Sequence, residues 1–135
     1  MIAGYSGTPL PKKLGIKEGT RLTLFNAPKD FGKTLGDLPS GVAVRHKPAG
    51  KSDVIVLFET QFSRFESSFA KAAALMPESG GMLWVAWPKK AARVATDLDE
   101  NLIRDFGLAA GLVDTKVCAI DATWSGLRFS RRRRV

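Results

Sequence analysis

A chain of 135 residues with 44% hydrophobic content has room for one compact α/β-sized domain and little room for a second core. Its net charge is +8, and the four consecutive arginines Arg131 to Arg134 supply half of that, so the body is only mildly basic and the charge concentrates near one end. One cysteine, Cys118, and one histidine, His46, exclude an internal disulfide framework and a multi-cysteine zinc site, so no metal is expected.

The opening stretch MIAGYSGTPLPKK lacks the apolar run of a secretory signal, and no later segment approaches membrane-spanning length. The expectation is therefore a soluble, cytoplasmic protein. In TPLPKKLG, Thr8 as N-cap, Pro9 at the first helical position and Gly15 as a stop predict a short leading helix. RLTLFNAP is β-rich and ends at Pro28, and GVAVRH is a second short strand. DVIVLF is an uninterrupted apolar run of the kind that parallel sheets bury on both faces.

From Gln61 to Met76, the residues Phe62, Phe65, Phe69, Ala72 and Met76 recur at three- and four-residue steps, which predicts a helix with one stripe on a core. Aromatics at that spacing are read as packing. Pro77 and a Ser-Gly-Gly turn end the helix, and the strand MLWVAW follows. Next, DLDENLIRDFGLAAGL predicts a helix with a capping box from Asp97 and Glu100. Its face carries Leu98, Leu102 and Phe106, and Gly111 closes it. KVCAID and GLRFS then read as two strands joined by ATWS in an antiparallel hairpin.

Strands alternating with helices imply crossover connections and a mainly parallel sheet. The expected fold is α/β: a three-layer Rossmann-like sandwich with a C-terminal antiparallel hairpin. Residues 1–130 form a single domain in this reading, and 131–135 form a basic disordered tail. The order of elements looks like the second half of the Rossmann-like methyltransferase fold, a likeness of architecture that does not license a function.

A closer resemblance rests on GYSGTPLPKKLGIKEG, LWVAWPKKAA, TDLDENLIRDFGLAAGLVDTKVCAID and TWSGLRF. Together these resemble a small bacterial family known as domain of unknown function 3052, over nearly the whole chain. WVAWPKK and TWSGL are its most specific parts. The resemblance implies a single-domain bacterial protein and carries over no activity, cofactor or catalytic residue; the arginine run lies outside its pattern.

Nucleotide and methyl-donor sites use a glycine-rich turn after the first strand and an acidic residue after the second to hold ribose hydroxyls. Here the first strand is followed by NAPKDFGKTLGDLP, without G-x-G, and the second ends in RHKP, which is basic. No cofactor and no catalytic residue are therefore assigned, and a degenerate or unusual Rossmann-like methyltransferase-type enzyme stands as an alternative. Cys118 within KVCAI reads as a buried structural cysteine. His46 reads as a surface loop residue. Glu59 and Asp121 end their strands, where carboxylates either line clefts or serve turns.

In open α/β sheets ligands bind beyond the carboxyl ends of parallel strands. Trp87, Lys89 and Lys90 stand at such an end, and a hairpin folding back beside MLWVAW brings Trp124 and Ser125 to the same edge. These five residues are the candidate binding site for an anionic small molecule, through ammonium pairing, a stacking face and a hydroxyl. The protein then acts as a small ligand-binding, regulatory or interaction domain. The alternative partner is a nucleic acid or acidic protein, bound through Arg131, Arg132, Arg133 and Arg134.

Overall fold

The computed structural model describes residues 7–132. Its elements in chain order are α1 (Leu10–Lys13), β1 (Arg21–Phe25), α2 (Phe31–Leu35), β2 (Ala43–Arg45), β3 (Val54–Phe58), α3 (Phe62–Ala73) and β4 (Met82–Pro88). A 3-10 turn (Lys90–Ala92) follows, and then α4 (Glu100–Ala109), β5 (Leu112–Ala119) and β6 (Trp124–Arg131). The strands form one six-stranded sheet in the order β2-β1-β3-β4-β6-β5. β2, β1, β3 and β4 run parallel, and the β5–β6 hairpin joins antiparallel to β4. This is the expected three-layer sandwich.

The central strands show why. Every residue of β3 is buried, as is β4 after Met82, so both faces need covering. On one face Ile55, Leu57, Leu83, Val85 and Trp87 pack against Phe65, Phe69 and Ala72 of α3 and Ile103 of α4. On the other, Val54, Val56, Phe58, Trp84 and Ala86 pack with Leu14, Ile16, Phe31 and Leu35. Trp84 also donates its indole N–H to the Leu14 carbonyl at 2.9 Å, tying the loop after α1 to the sheet.

Several boundaries differ from the sequence reading. The leading helix begins one residue later, with Pro9 rather than Thr8 at the N-cap and no side-chain cap bond. α4 is capped by Asp99, whose carboxylate accepts from the Leu102 N–H at 2.8 Å. Asp97 instead accepts from the Phe62 N–H of α3 at 2.7 Å, because the chain from β4 returns past the start of α3 before α4 begins. The buried face of α4 is carried by Ile103 and Gly107, and Leu102 is 36% exposed. A ring edge of Phe129 occupies the space beside Gly107, where a Cβ would lie 2.1 Å from it. The groove that glycine opens, rather than a leucine stripe, therefore seats this helix.

The sequence reading also missed α2, a five-residue helix without a side-chain cap. Phe31 and Leu35 are its buried residues, four apart and so on one face. Arg131, expected in a disordered tail, is instead held in the sheet. Arg131 is the last residue of β6, and its guanidinium donates to the Pro77 and Met76 carbonyls at 2.6 and 3.1 Å. These carbonyls follow the end of α3, where a cation is well placed. Arg132 is exposed beyond the strand; Arg133 and Arg134 lie outside the described residues.

Candidate functional site

The sheet order creates one obvious place for a ligand. From β1 the chain moves outward to β2, and from β3 it moves the other way to β4. The crevice between the carboxyl ends of β1 and β3 is therefore the topological switch point, where open α/β sheets hold ligands. A cavity of roughly 590 Å³ opens there, lined by Asn26 after β1, Phe58 and Glu59 at the end of β3, Ser63, Arg64, Ser67 and Ser68 of α3, and Trp124.

Glu59 organises this crevice. Its side chain is 4% exposed and accepts at both oxygens: from the Thr60 N–H at 3.2 Å and Arg64 Nε at 3.1 Å on one, and from Ser68 Oγ at 3.2 Å and Asn26 Nδ2 at 3.3 Å on the other. A buried carboxyl needs such partners. The consequence is positional, because one side chain ties the turn after β1 to the first two turns of α3. Asn26 itself has φ +58°, a left-handed conformation that asparagine tolerates better than most residues. It gives the sharp turn after β1 that a glycine gives in nucleotide-binding loops. Next to it a smaller apolar cavity of about 320 Å³ lies between β1, β2 and α2, lined in part by Leu24, Phe31, Val44 and His46. His46 is exposed at its rim, as the loop reading expects.

The five residues expected to form one anion site fall into two groups. Trp87 pairs with Ser125 and Pro88 with Trp124 across the β4–β6 ladder. Successive side chains of a strand point to opposite faces, so Trp87 belongs to the α3 and α4 core while Trp124 packs with the opposite core. Trp124 stands edge-on to Phe58, with centroids 5.1 Å apart, and lines the switch-point crevice. The expected convergence of the two tryptophans is therefore corrected. Trp87, Lys89, Lys90 and Ser125 do meet, in a second cavity of roughly 590 Å³ that also touches Thr96, Asp97, Asp99 and Glu100. The anion-site expectation overlooked that neighbouring tryptophan positions on paired strands can face opposite ways.

The remaining candidates resolve simply. Asp121 serves the hairpin turn, its Oδ1 accepting from the Thr123 and Trp124 N–H groups at 2.8 Å each. The Cys118 side chain is half-buried, and burial pushes its thiol up from the ordinary value against the opposing pull of Lys13, Lys116 and Arg128. A thiol held protonated suits a structural rather than a nucleophilic cysteine. Among the described residues no group of three or more His, Cys, Asp or Glu side chains is arranged to hold a metal ion, and no helix is long and apolar enough to cross a membrane.

No family model matches the chain, and no curated protein matches it. Solved structures do. A DhpI–SAH complex aligns with TM-score 0.61 at 11% identity, covering 93% of this chain and 83% of that one. An O-methyltransferase family 2 protein from Planctomyces limnophilus in complex with apigenin aligns with TM-score 0.61 at 10% identity, over 85% of this chain. This chain spans only 50% of that protein's length. Magnesium protoporphyrin IX methyltransferase from Synechocystis with bound SAM gives TM-score 0.56 at 10% identity, covering 91% and 74%. At such identities the likeness concerns the fold, and the fold of this chain is that of the Rossmann-like methyltransferases.

Proposed function

We propose that this protein is a Rossmann-like binding domain whose switch-point crevice takes a nucleoside-bearing small molecule of the SAM and SAH class. The observation that carries the reading is the position of the polar crevice at the carboxyl ends of β1 and β3, where the sheet order reverses and where such folds hold ligands. Two structural neighbours that contain SAH or SAM support the ligand class.

The residues fit this ligand class in part. Asn26 supplies the tight turn in place of glycine; its Nδ2 is taken by Glu59 and the Phe58 carbonyl, so its Oδ1 and the exposed hydroxyls of Ser63 and Ser67 offer hydrogen bonds to ribose or amino-acid groups. Trp124, backed by the buried Phe58, offers an aromatic wall, with the apolar cavity beside α2 as the place for a purine. The acidic ribose partner after β2 is replaced by Arg45, His46 and Lys47. Glu59, the one carboxylate among the described lining residues, is engaged by four donors. It holds the crevice together rather than standing ready as a base, so the reading is of binding, and no transfer step is assigned.

SAH titration followed calorimetrically and by the indole N–H resonances of the three tryptophans tests this reading. Saturable heat with a shift of the Trp124 indole is expected, weakened about tenfold in Asn26→Gly, which keeps the left-handed turn while removing the amide and its bond to Glu59. Absence of heat and of any Trp124 shift at millimolar SAH overturns it.

A further inference from the structure

The second cavity, beyond the carboxyl end of β4, has a distinctive balance of hydrogen-bonding groups. Trp87 is only 7% exposed, yet among the described residues no acceptor takes its indole N–H, and no buried side-chain nitrogen or oxygen lacks a partner. That N–H therefore keeps contact with solvent, on a side chain that is otherwise sealed in the core and lines the cavity. Trp84, the other tryptophan of the strand, spends its N–H on the Leu14 carbonyl. Ser125 sits opposite Trp87 in the ladder and lines the same cavity, adding a hydroxyl.

The carboxylates around the cavity already have partners. Asp97 accepts from the first N–H of α3, Asp99 caps α4, and Glu100 pairs with Arg104. Lys89 and Lys90, by contrast, form no ion pair among the described residues. The Lys89 N–H donates to the Thr123 carbonyl at 2.8 Å, which fixes the backbone where the lysines leave the strand. The two lysines, the Trp87 N–H and the Ser125 hydroxyl thus gather unused donors on the strand side of the cavity, across from acids that are each held at one oxygen.

We propose that this cavity is an oxyanion site: the carboxylate or phosphate of a small molecule accepts from Trp87 Nε1 and Ser125 Oγ, with Lys89 and Lys90 supplying countercharge. It is a second site, separated from the switch-point crevice by Thr60, whose carbonyl accepts from Thr96 Oγ1 at 2.6 Å. The proposal stands independently of what the crevice binds, since Trp87 reports on one cavity and Trp124 on the other.

The test uses the three indole resonances of the labelled protein, assigned with Trp87→Phe and Trp124→Phe. Inorganic phosphate and succinate are titrated into the tens of millimolar, against potassium chloride at matched ionic strength. A saturable shift of the Trp87 indole with Trp124 unmoved is expected. In the double variant Lys89→Ala, Lys90→Ala the affinity should fall about tenfold or more, with an unchanged fold because both side chains lie at the surface. Response to phosphate alone or to succinate alone assigns the oxyanion. No saturable Trp87 shift with either probe, or the same shift in the double variant, overturns the proposal. A Trp87 shift without SAH binding at Trp124 leaves this proposal standing and removes the reading of the crevice.

Discussion

The face of the sheet under α3 and α4 and the face under α1 and α2 cover similar runs of strand residues with helices of very different length. The first pair has twelve and ten residues, the second four and five. Under the long helices the aromatic rings close on one another: Phe69 lies 5.5 Å from Phe65, 5.1 Å from Phe106 and 5.8 Å from Phe129, all edge-on. Under the short helices they lead outward, from Phe31 to Phe58 at 4.7 Å and on to Trp124 at 5.1 Å, where the chain reaches the switch-point crevice. One face concentrates packing and the other extends its packing to the rim of the crevice. That division lets the loop at the crevice be shaped by local irregularity without cost to the core.

Truncating one ring on each face gives the largest expected effect. Phe69→Ala removes the centre of the closed cluster and should cost about 3–5 kcal/mol in urea unfolding. Phe31→Ala should fall at the lower end, about 3 kcal/mol, because a one-turn helix can settle into the vacated space. An equal or greater loss from Phe31→Ala would break the comparison. Gly107→Ala comes next. In an ordinary helix interior this change gains up to about 1 kcal/mol, but here the new methyl meets Phe129 at 2.1 Å. A net loss of about 1–3 kcal/mol is expected from overpacking, and a gain in the melting temperature would show that α4 rides more loosely than the glycine groove implies.

The smallest effect is electrostatic and separates α4 from the amino edge of the sheet. Arg104 of α4 pairs with Asp114 of β5 at 2.8 Å, and Arg21 of β1 pairs with Asp53 before β3 at 2.9 Å. The hydrogen bonds from these arginines hold both carboxyls below the usual aspartate range. A folded-state value below the unfolded one adds stability that is fully present above the unfolded value, near pH 4, and is lost as pH falls through the folded value. Melting temperature should therefore drop slightly between pH 5 and pH 3, and by less in Asp114→Asn. The Arg21–Asp53 pair is exposed and the Arg104–Asp114 pair partly so, so the effect is small and weakens with salt. An unchanged acid profile in Asp114→Asn would show that the α4 clamp adds nothing to stability.

The sequence alone determined the elements whose pattern is local. The apolar run of β3, the three- and four-residue steps of α3, the run of β4 ended at Pro88 and the two strands of the hairpin all appear within a residue or a few of their predicted ends, because burial on both faces and helical periodicity leave marks on neighbouring residues. They also placed the carboxyl ends of the parallel strands along one edge, where both cavities open. Tertiary structure decided what depends on partners far along the chain. Glu59 became the hub of the crevice only when Asn26, 33 residues earlier, and α3 closed around it. Asp97 was drawn from its own helix to the start of α3, 35 residues back. The register of β4 against β6 sent Trp87 and Trp124 to opposite faces, and a one-residue slip would reverse that assignment. Strand order, register and the choice among several nearby acids are set by long-range packing, to which a local pattern of residues is blind.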